Sequence, residues 1–165
     1  MASFHAYVFL SFMWTISALV LHRPQSCGES FGLGGYLRSI DLVPCDKEPC
    51  AVYSGHTYNA TISFTAHISS LLVTETFDAK LGDFPVWEVF PIIPPNPCVR
   101  GLQCPILAGT TYTYTASVTT PTDATEILNV TGRLRLRDDR GDKILCYEFP
   151  LMLNDPARDP KTIIG

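Results

Sequence analysis

Histidine is scarce in this chain, and the arrangements that mark most enzyme active sites are missing. Four histidines occur in 165 residues, and no two stand at metal-ligand spacing. His5 and His22 lie in or beside an apolar N-terminal run, His56 lies in a turn, and His67 lies on the polar side of an alternating segment. This placement argues against a hydrolytic triad. There is no Gly-Xaa-Ser-Xaa-Gly elbow and no glycine-rich phosphate loop, and no amphipathic helical stretch of useful length. Basic charge is also short. Only Arg23 of the 12 Lys+Arg precedes Cys27, so 11 face all 16 Asp+Glu, a balance of −5. Such a chain has no electrostatic footprint for nucleic acid. No catalytic residue, cofactor or metal is expected.

The N-terminus, by contrast, is rich in apolar residues. Ala6 to Leu21 is broken only by Ser11, Thr15 and Ser17. The run is shorter than the roughly 20 residues that span a bilayer comfortably, and no later segment resembles a stop-transfer sequence. It reads as a secretory signal over residues 1–20, with cleavage after Ala18 or a few residues later. Two sequons agree with export, Asn59-Ala60-Thr61 and Asn129-Val130-Thr131, each a glycosylation acceptor. A single domain is expected over 27–154. Residues 155–165, with Pro156 and Pro160, read as a loose tail.

Six cysteines, at 27, 45, 50, 98, 104 and 146, fit an oxidising compartment. Their spacings are not those of a zinc ribbon or finger. Short loops close at least entropic cost, which pairs Cys45 with Cys50 and Cys98 with Cys104 and leaves Cys27 for Cys146. In the chain-entropy picture the long bridge stabilises most, by roughly 5 kcal/mol, and the short ones by about 2 kcal/mol each.

Alternation with period two dominates the rest. In Tyr58 to Ile68 the even positions are apolar (Tyr58, Ala60, Ile62, Phe64, Ala66, Ile68) and the odd ones polar. Glu126 to Arg137 repeats the pattern, with Leu128, Val130, Leu134 and Leu136 opposed to Asn129, Thr131, Arg133, Arg135 and Arg137. Both sequon asparagines fall on the polar faces. Further strands are predicted at Tyr36–Val43, Leu71–Leu81, Phe84–Phe90, Thr111–Thr119 and Ile144–Leu153. A turn at 138–142 joins the last two. About seven short strands and no helix predict an all-β, immunoglobulin-like antiparallel sandwich.

Four features do not fit an ordinary filled sandwich. Phe84 to Pro97 holds five prolines and seven large apolar residues. Proline cannot donate to a ladder, so this is either the lip of a cavity or an edge whose side chains finish the core. Gly132 sits among inward leucines and either leaves room or marks a bulge or close approach. Glu75 falls on an apolar face, with no partner acid or base evident. Arg140-Gly141-Asp142 spells an integrin tripeptide, but a charged glycine turn accounts for it.

The order of all six cysteines, with Val43-Pro44-Cys45, Ile62-Ser63-Phe64-Thr65, Phe90-Pro91-Ile92, Cys104-Pro105-Ile106, Tyr112-Thr113-Tyr114, Asp138-Asp139 and Cys146-Tyr147-Glu148-Phe149-Pro150, resembles the ML lipid-recognition family. The resemblance is nearest to its soluble Niemann–Pick type C cholesterol-transfer (epididymal secretory) branch and covers about 125 residues. It implies sheets splayed around an apolar tunnel and the same three disulfides. It also implies a carrier in which the aromatic of the Phe-Pro-Ile segment, here Phe90, gates the pocket. The chain departs from that pattern at Thr119 to Thr125, which is more polar and lacks the expected tyrosine, and at the bulky Trp87.

The inward apolar faces, Gly132 and the proline-rich segment predict a cavity between the sheets lined by Ile62, Phe64, Phe77, Val86, Phe90, Ile92, Tyr114, Val118, Leu128, Val130, Leu134, Tyr147 and Phe149. The expected activity is non-enzymatic binding and transfer of a sterol, or of a fatty acid or other hydrophobic ligand. The chain would act as a monomer, secreted, extracellular or in the lysosomal lumen, with transient membrane contact and a membrane-protein acceptor. Its entrance would be the Phe84–Pro97 lip with Thr119–Thr125, and Trp87 would report on docking. The alternative is an immune or receptor-accessory protein recognising microbial lipid.

Overall fold

The computed structural model describes residues 19–20, 24–27, 34–122 and 128–154, with Leu19, Val20 and Leu128 described by backbone alone. The expected tail, most of the expected signal and the 123–127 part of the polar loop lie outside the described residues. Among the described residues there are ten strands: β1 (Leu19–Val20), β2 (Gln25–Ser26), β3 (Gly35–Val43), β4 (Cys50–Tyr53), β5 (Thr57–Ala66), β6 (Thr74–Leu81), β7 (Glu88–Phe90), β8 (Thr111–Thr119), β9 (Leu128–Arg137) and β10 (Lys143–Asn154). They form two sheets, one in the order β1-β3-β5-β8 and one in the order β2-β10-β9-β6-β7. β4 adds to β10 in parallel, pairing Leu151 with Cys50 and Leu153 with Val52. All other pairings are antiparallel.

Alternation sets which side chains meet between the sheets. Ile62 and Phe64 of β5, Tyr112, Tyr114 and Ala116 of β8, Leu134 and Leu136 of β9, and Phe149, Leu151 and Leu153 of β10 are all buried. The sequon side chains Asn59 and Asn129 face solvent. The three disulfides join Cys27 to Cys146, Cys45 to Cys50 and Cys98 to Cys104, with Cα separations of 5.4, 5.4 and 5.6 Å. The short bridges flank the cis Val43–Pro44 and Cys104–Pro105 peptides.

Two strand boundaries differ from the sequence expectation. β6 begins at Thr74, because Ser70 pairs with Ile106 in an isolated bridge and Leu71 and Leu72 project into solvent. In Phe84–Phe90 only Glu88–Phe90 pairs, against Phe77, Asp78 and Ala79. Gly82 adopts a positive φ of 47° and the Phe84 N–H donates to the Leu81 carbonyl. This turn, followed by Pro85, holds the chain off the ladder until Glu88.

The 138–142 hairpin is closed by its own carboxylate. Asp138 is buried and accepts from the N–H groups of Arg140 (3.0 Å) and Asp142 (2.7 Å) and from the Arg140 guanidinium (3.0 and 3.1 Å). Burial pushes this carboxyl up, but the hydrogen bonds and the Arg140 charge outweigh it and hold it below the usual carboxylate range. The Arg140 guanidinium thus folds back on the turn's own carboxylate while its side chain stays 68% exposed.

Candidate functional site: an apolar cavity between the sheets

Side-chain size dips part-way along the inner faces. On β8 the sequence inward is Tyr112, Tyr114, Ala116, Val118, and on β5 it is Phe64, Ile62, Ala60, Tyr58. The register places Phe64 beside Tyr112 and Ile62 beside Tyr114, but Ala60 beside Ala116. At the aromatic end the rings fill the space, with Phe64 centred 5.8 Å from Tyr112 and 6.4 Å from Tyr114. At the alanine pair they cannot, and the sheets enclose a cavity of about 70 Å³. Its first-sheet wall is Ile40, Leu42, Tyr58, Ala60, Ile62, Ala116, Val118 and Thr120. Its second-sheet wall is Val52, Phe77, Leu134, Phe149 and Leu151, and Ile92 closes it from the lip.

Gly132 belongs to this wall by subtraction. A Cβ there would lie 3.0 Å from Phe149 Cε2 and 3.1 Å from both Leu151 Cδ1 and Phe77 Cζ. The position is a close approach rather than a void: three lining side chains occupy the place of the missing one. Phe77 in turn sits 6.0 Å from the ring centre of Phe90 and 6.1 Å from that of Phe149.

The rim is polar and tied. The Thr120 hydroxyl donates to the Tyr53 carbonyl at 2.5 Å and accepts from the His56 N–H at 3.1 Å. The Gly55 N–H donates to the Pro121 carbonyl at 2.9 Å. Thr120 and Pro121 thus join the β4–β5 turn to the end of β8.

Beyond the Ile62 layer lies a buried polar group. Glu75 is 1% exposed. It is ion-paired to Arg100 and accepts the Tyr114 hydroxyl at 2.8 Å. Sequence reading found no partner for this carboxylate, because both partners come from β8 and the 3₁₀ turn Pro97–Arg100, remote in the chain. Burial, then the Glu75 charge and hydrogen bond, push the Tyr114 phenol well above its usual range, opposed by Arg100.

The sequence model of the ML domain matches residues 25–153. The chain belongs to the ML-domain family. Among curated relatives it is similar to the NPC intracellular cholesterol transporter 2 of Danio rerio, 28% identical over 77% of this chain and 81% of that one. It is also similar to that of Bos taurus, 25% identical over 88% and 93%. The crystal structure of a Niemann-Pick type C2 protein from Japanese carpenter ant superposes with a TM-score of 0.68 at 23% identity, covering 80% of this chain and 99% of that one. The ML-domain sandwich is therefore the fold of this chain.

Six of the thirteen expected side chains stand on the cavity wall: Ile62, Phe77, Ile92, Val118, Leu134 and Phe149. Phe64 and Tyr114 lie in the filled aromatic end. Phe90 is half-buried behind Phe77. Tyr147 is half-buried, and its hydroxyl accepts the Leu37 N–H at 3.4 Å. Val130 is buried beside an open, partly polar recess with Pro49, Asp83, Asn129 and Pro150. Val86 is 71% exposed, because its half of the segment leaves the ladder. The Leu128 side chain lies outside the described residues. Trp87 turns to the outer face of the second sheet, where the Arg133 guanidinium lies 3.7 Å from its ring centre and Lys80 Nζ 5.5 Å. Beneath it Asp78 is fully buried between Arg133 (2.7 Å) and Arg135 (2.6 Å). Trp87 therefore does not line the cavity.

Sequence reading missed Ile40, Leu42, Val52, Tyr58, Ala60, Ala116, Thr120 and Leu151. Ala60 and Ala116 carry the signal that would have located the cavity, but it is readable only once the two strands are in register.

Proposed function

We propose that this chain is a non-enzymatic lipid carrier that takes up a sterol, or another aliphatic ligand such as a fatty acid, and hands it to a membrane or a membrane-protein acceptor. The observation that carries this reading is a cavity walled by apolar side chains inside a chain whose relatives are named cholesterol transporters. No bond need be made or broken. Burying about 500 Å² of ligand surface favours binding by on the order of 12 kcal/mol gross, which lost ligand freedom reduces. Measured against a bilayer the exchange must be nearly balanced, or the ligand would not be both loaded and released.

The cavity is several times smaller than the roughly 300–1,000 Å³ of ordinary ligand pockets. Loading on this reading widens it. The lip residues Ile92 and Phe90 give way, followed by Phe77 and Phe149, which meet over Gly132. The outward side of the lip carries Phe84, Val86, Val89 and Ile93, the last 84% exposed. With a net charge of −4, docking would proceed by apolar insertion.

Secretion follows on this reading from the signal expectation. Cleavage after Ala18 would retain β1, which pairs Leu19 with Leu42 and Val20 with Asp41. Glycans at Asn59 and Asn129 would project from exposed faces.

The deciding experiment is mass spectrometry of lipid extracted from natively purified protein. It is paired with transfer of the fluorescent sterol dehydroergosterol, and of a fluorescent fatty acid, between vesicles at neutral and acidic pH. A co-purifying lipid and catalytic transfer are expected. Absence of both from correctly disulfide-bonded protein would overturn the carrier reading.

A further inference from the structure

The proline-rich lip is held by polar contacts out of proportion to its apolar composition. Three of them come from one side chain. Arg100 Nε–H donates to the Pro94 carbonyl at 3.1 Å, Nη1–H to the Thr115 carbonyl at 3.4 Å, and Nη2–H to the Glu75 carboxylate. Pro94 is in the lip, Thr115 in the first sheet (β8) and Glu75 in the second (β6). The carboxylate is further shared with Tyr114 of the first sheet. The Glu75 N–H donates to the Pro95 carbonyl at 2.8 Å. One buried ion pair thus joins both sheets and the lip at the edge where the sandwich would open.

The contrast along the lip is sharp. Around Arg100 the segment is pinned at 94, 95 and 97, the last through the Leu102 N–H to the Pro97 carbonyl at 3.1 Å. Ile92, two residues before Pro94, is buried in the cavity wall, while Ile93 between them is exposed. A rigid anchor two residues from the side chain that must leave for a ligand to enter will govern how easily it leaves. Apolar contacts are non-directional and let Ile92 slide. Charge-assisted hydrogen bonds of fixed geometry do not.

We propose that Arg100 is a positioning residue, and that the Glu75–Arg100–Tyr114 network is the latch that sets the rate at which the lip opens over the cavity. This rests on the carrier reading for its meaning, but not for its test. The latch holds the closed lip in the empty and the loaded protein alike. Loosening it raises the rates of ligand entry and exit together and leaves affinity nearly unchanged.

Removing one partner alone would strand a buried charge and endanger the fold, whereas replacing both by apolar groups of similar volume is tolerated in general. The test variant is therefore Glu75→Leu with Arg100→Met. Arg100→Lys is the second variant, since it keeps a charge for Glu75 but loses the forked reach to Pro94 and Thr115. The probe is dehydroergosterol, followed by stopped-flow fluorescence. The association and dissociation rate constants are expected to rise about tenfold in the double variant and by less in Arg100→Lys, with Kd within threefold of the unmodified chain.

A merely structural role would raise dissociation alone or lower Tm without moving the rates, and would overturn the proposal. Amide exchange at positions 75 and 102, whose N–H groups bond to lip carbonyls, is measured in the same variants without ligand, relative to the intrinsic rate of the residue that each variant carries there. About tenfold faster exchange there, with the Ile62 and Leu145 amides unchanged, supports the latch. Unchanged exchange at Glu75 and Leu102 sinks it. If the unmodified chain binds no dehydroergosterol, that counts against sterol carriage, and the exchange data still decide the latch. If the double variant does not fold, Arg100→Lys decides by the same two measurements.

Discussion

Ala116 and Ala60 face each other across β8 and β5 at the point where the inner faces stop filling the space between the sheets. A leucine at 116 would occupy that space from one side. Cavity-filling changes cost little when volume is free to receive them. Ala116→Leu should therefore retain stability to within about 1 kcal/mol by chemical denaturation, while binding of dehydroergosterol falls at least tenfold. Wild-type binding in a folded Ala116→Leu would show that the ligand goes elsewhere. Phe90 tests the other wall. Half-buried and backed by Phe77, it contributes less to the core than a fully enclosed ring. Phe90→Ala should fold and bind several-fold more weakly in the same titration. A variant that yields no folded species would place Phe90 in the core instead. Glu75 shows the opposite kind of residue, one whose neighbours in sequence say nothing of its partners. It stands at an inward position by alternation, and only the folded chain brings Arg100 to it.

At the scale of elements, the strands with long alternating runs were legible. β3, β5, β8, β9 and β10 occupy nearly the predicted ranges, because period two over eight or more residues admits one register with the apolar side inward. The short strands were not. β1, β2 and β4 span two, two and four residues, too few to show a period, and β4 owes its place to Leu151–Asn154 a hundred residues away. The cavity was half legible for a related reason: inward faces follow from alternation, but which part of them stays unfilled depends on pairing. The Phe84–Pro97 segment stands out in the sequence by its prolines, yet its halves diverge, with Trp87 on the outer face beside Arg133 and Ile92 in the cavity wall. Three predictions belong at this scale. Phe84→Ser with Ile93→Ser should slow vesicle-to-vesicle transfer several-fold while leaving binding of dehydroergosterol intact. The emission of Trp87 should stay unshifted when vesicles are added, and a blue shift would return that ring to the membrane side. The 138–142 hairpin supplies the pH test. The folded Asp138 carboxyl is held below its ordinary value. Its stabilisation is therefore present above the unfolded carboxylate range near about pH 4 and is lost as pH falls through the lowered value. Asp138→Asn should cost stability at pH 5–7, and this cost should shrink below about pH 4, as read from Tm across an acid series.

For the whole molecule, the Cys27–Cys146 bridge closes a separation of 119 residues and ties the segment holding β2 to the first third of β10. Replacing both cysteines by serine should lower stability by about 2–5 kcal/mol, measured by denaturant unfolding. The same double change at Cys45 and Cys50 should cost less, and equal losses would count against the loop-length account. β10 carries a further consequence, one of timing. It is the last described strand, and β2, β4 and β9 all pair with it, whereas the described strands of the four-stranded sheet need nothing beyond Thr119. A chain emerging from the ribosome N-terminus first can thus assemble one sheet while the other still waits for its central strand. During that interval the greasy inner face of β3, β5 and β8 has no cover, and the growing chain is exposed to sticking to others. A premature stop before Lys143 would make that interval permanent: its product should be an aggregating species, not a folded chain of reduced stability.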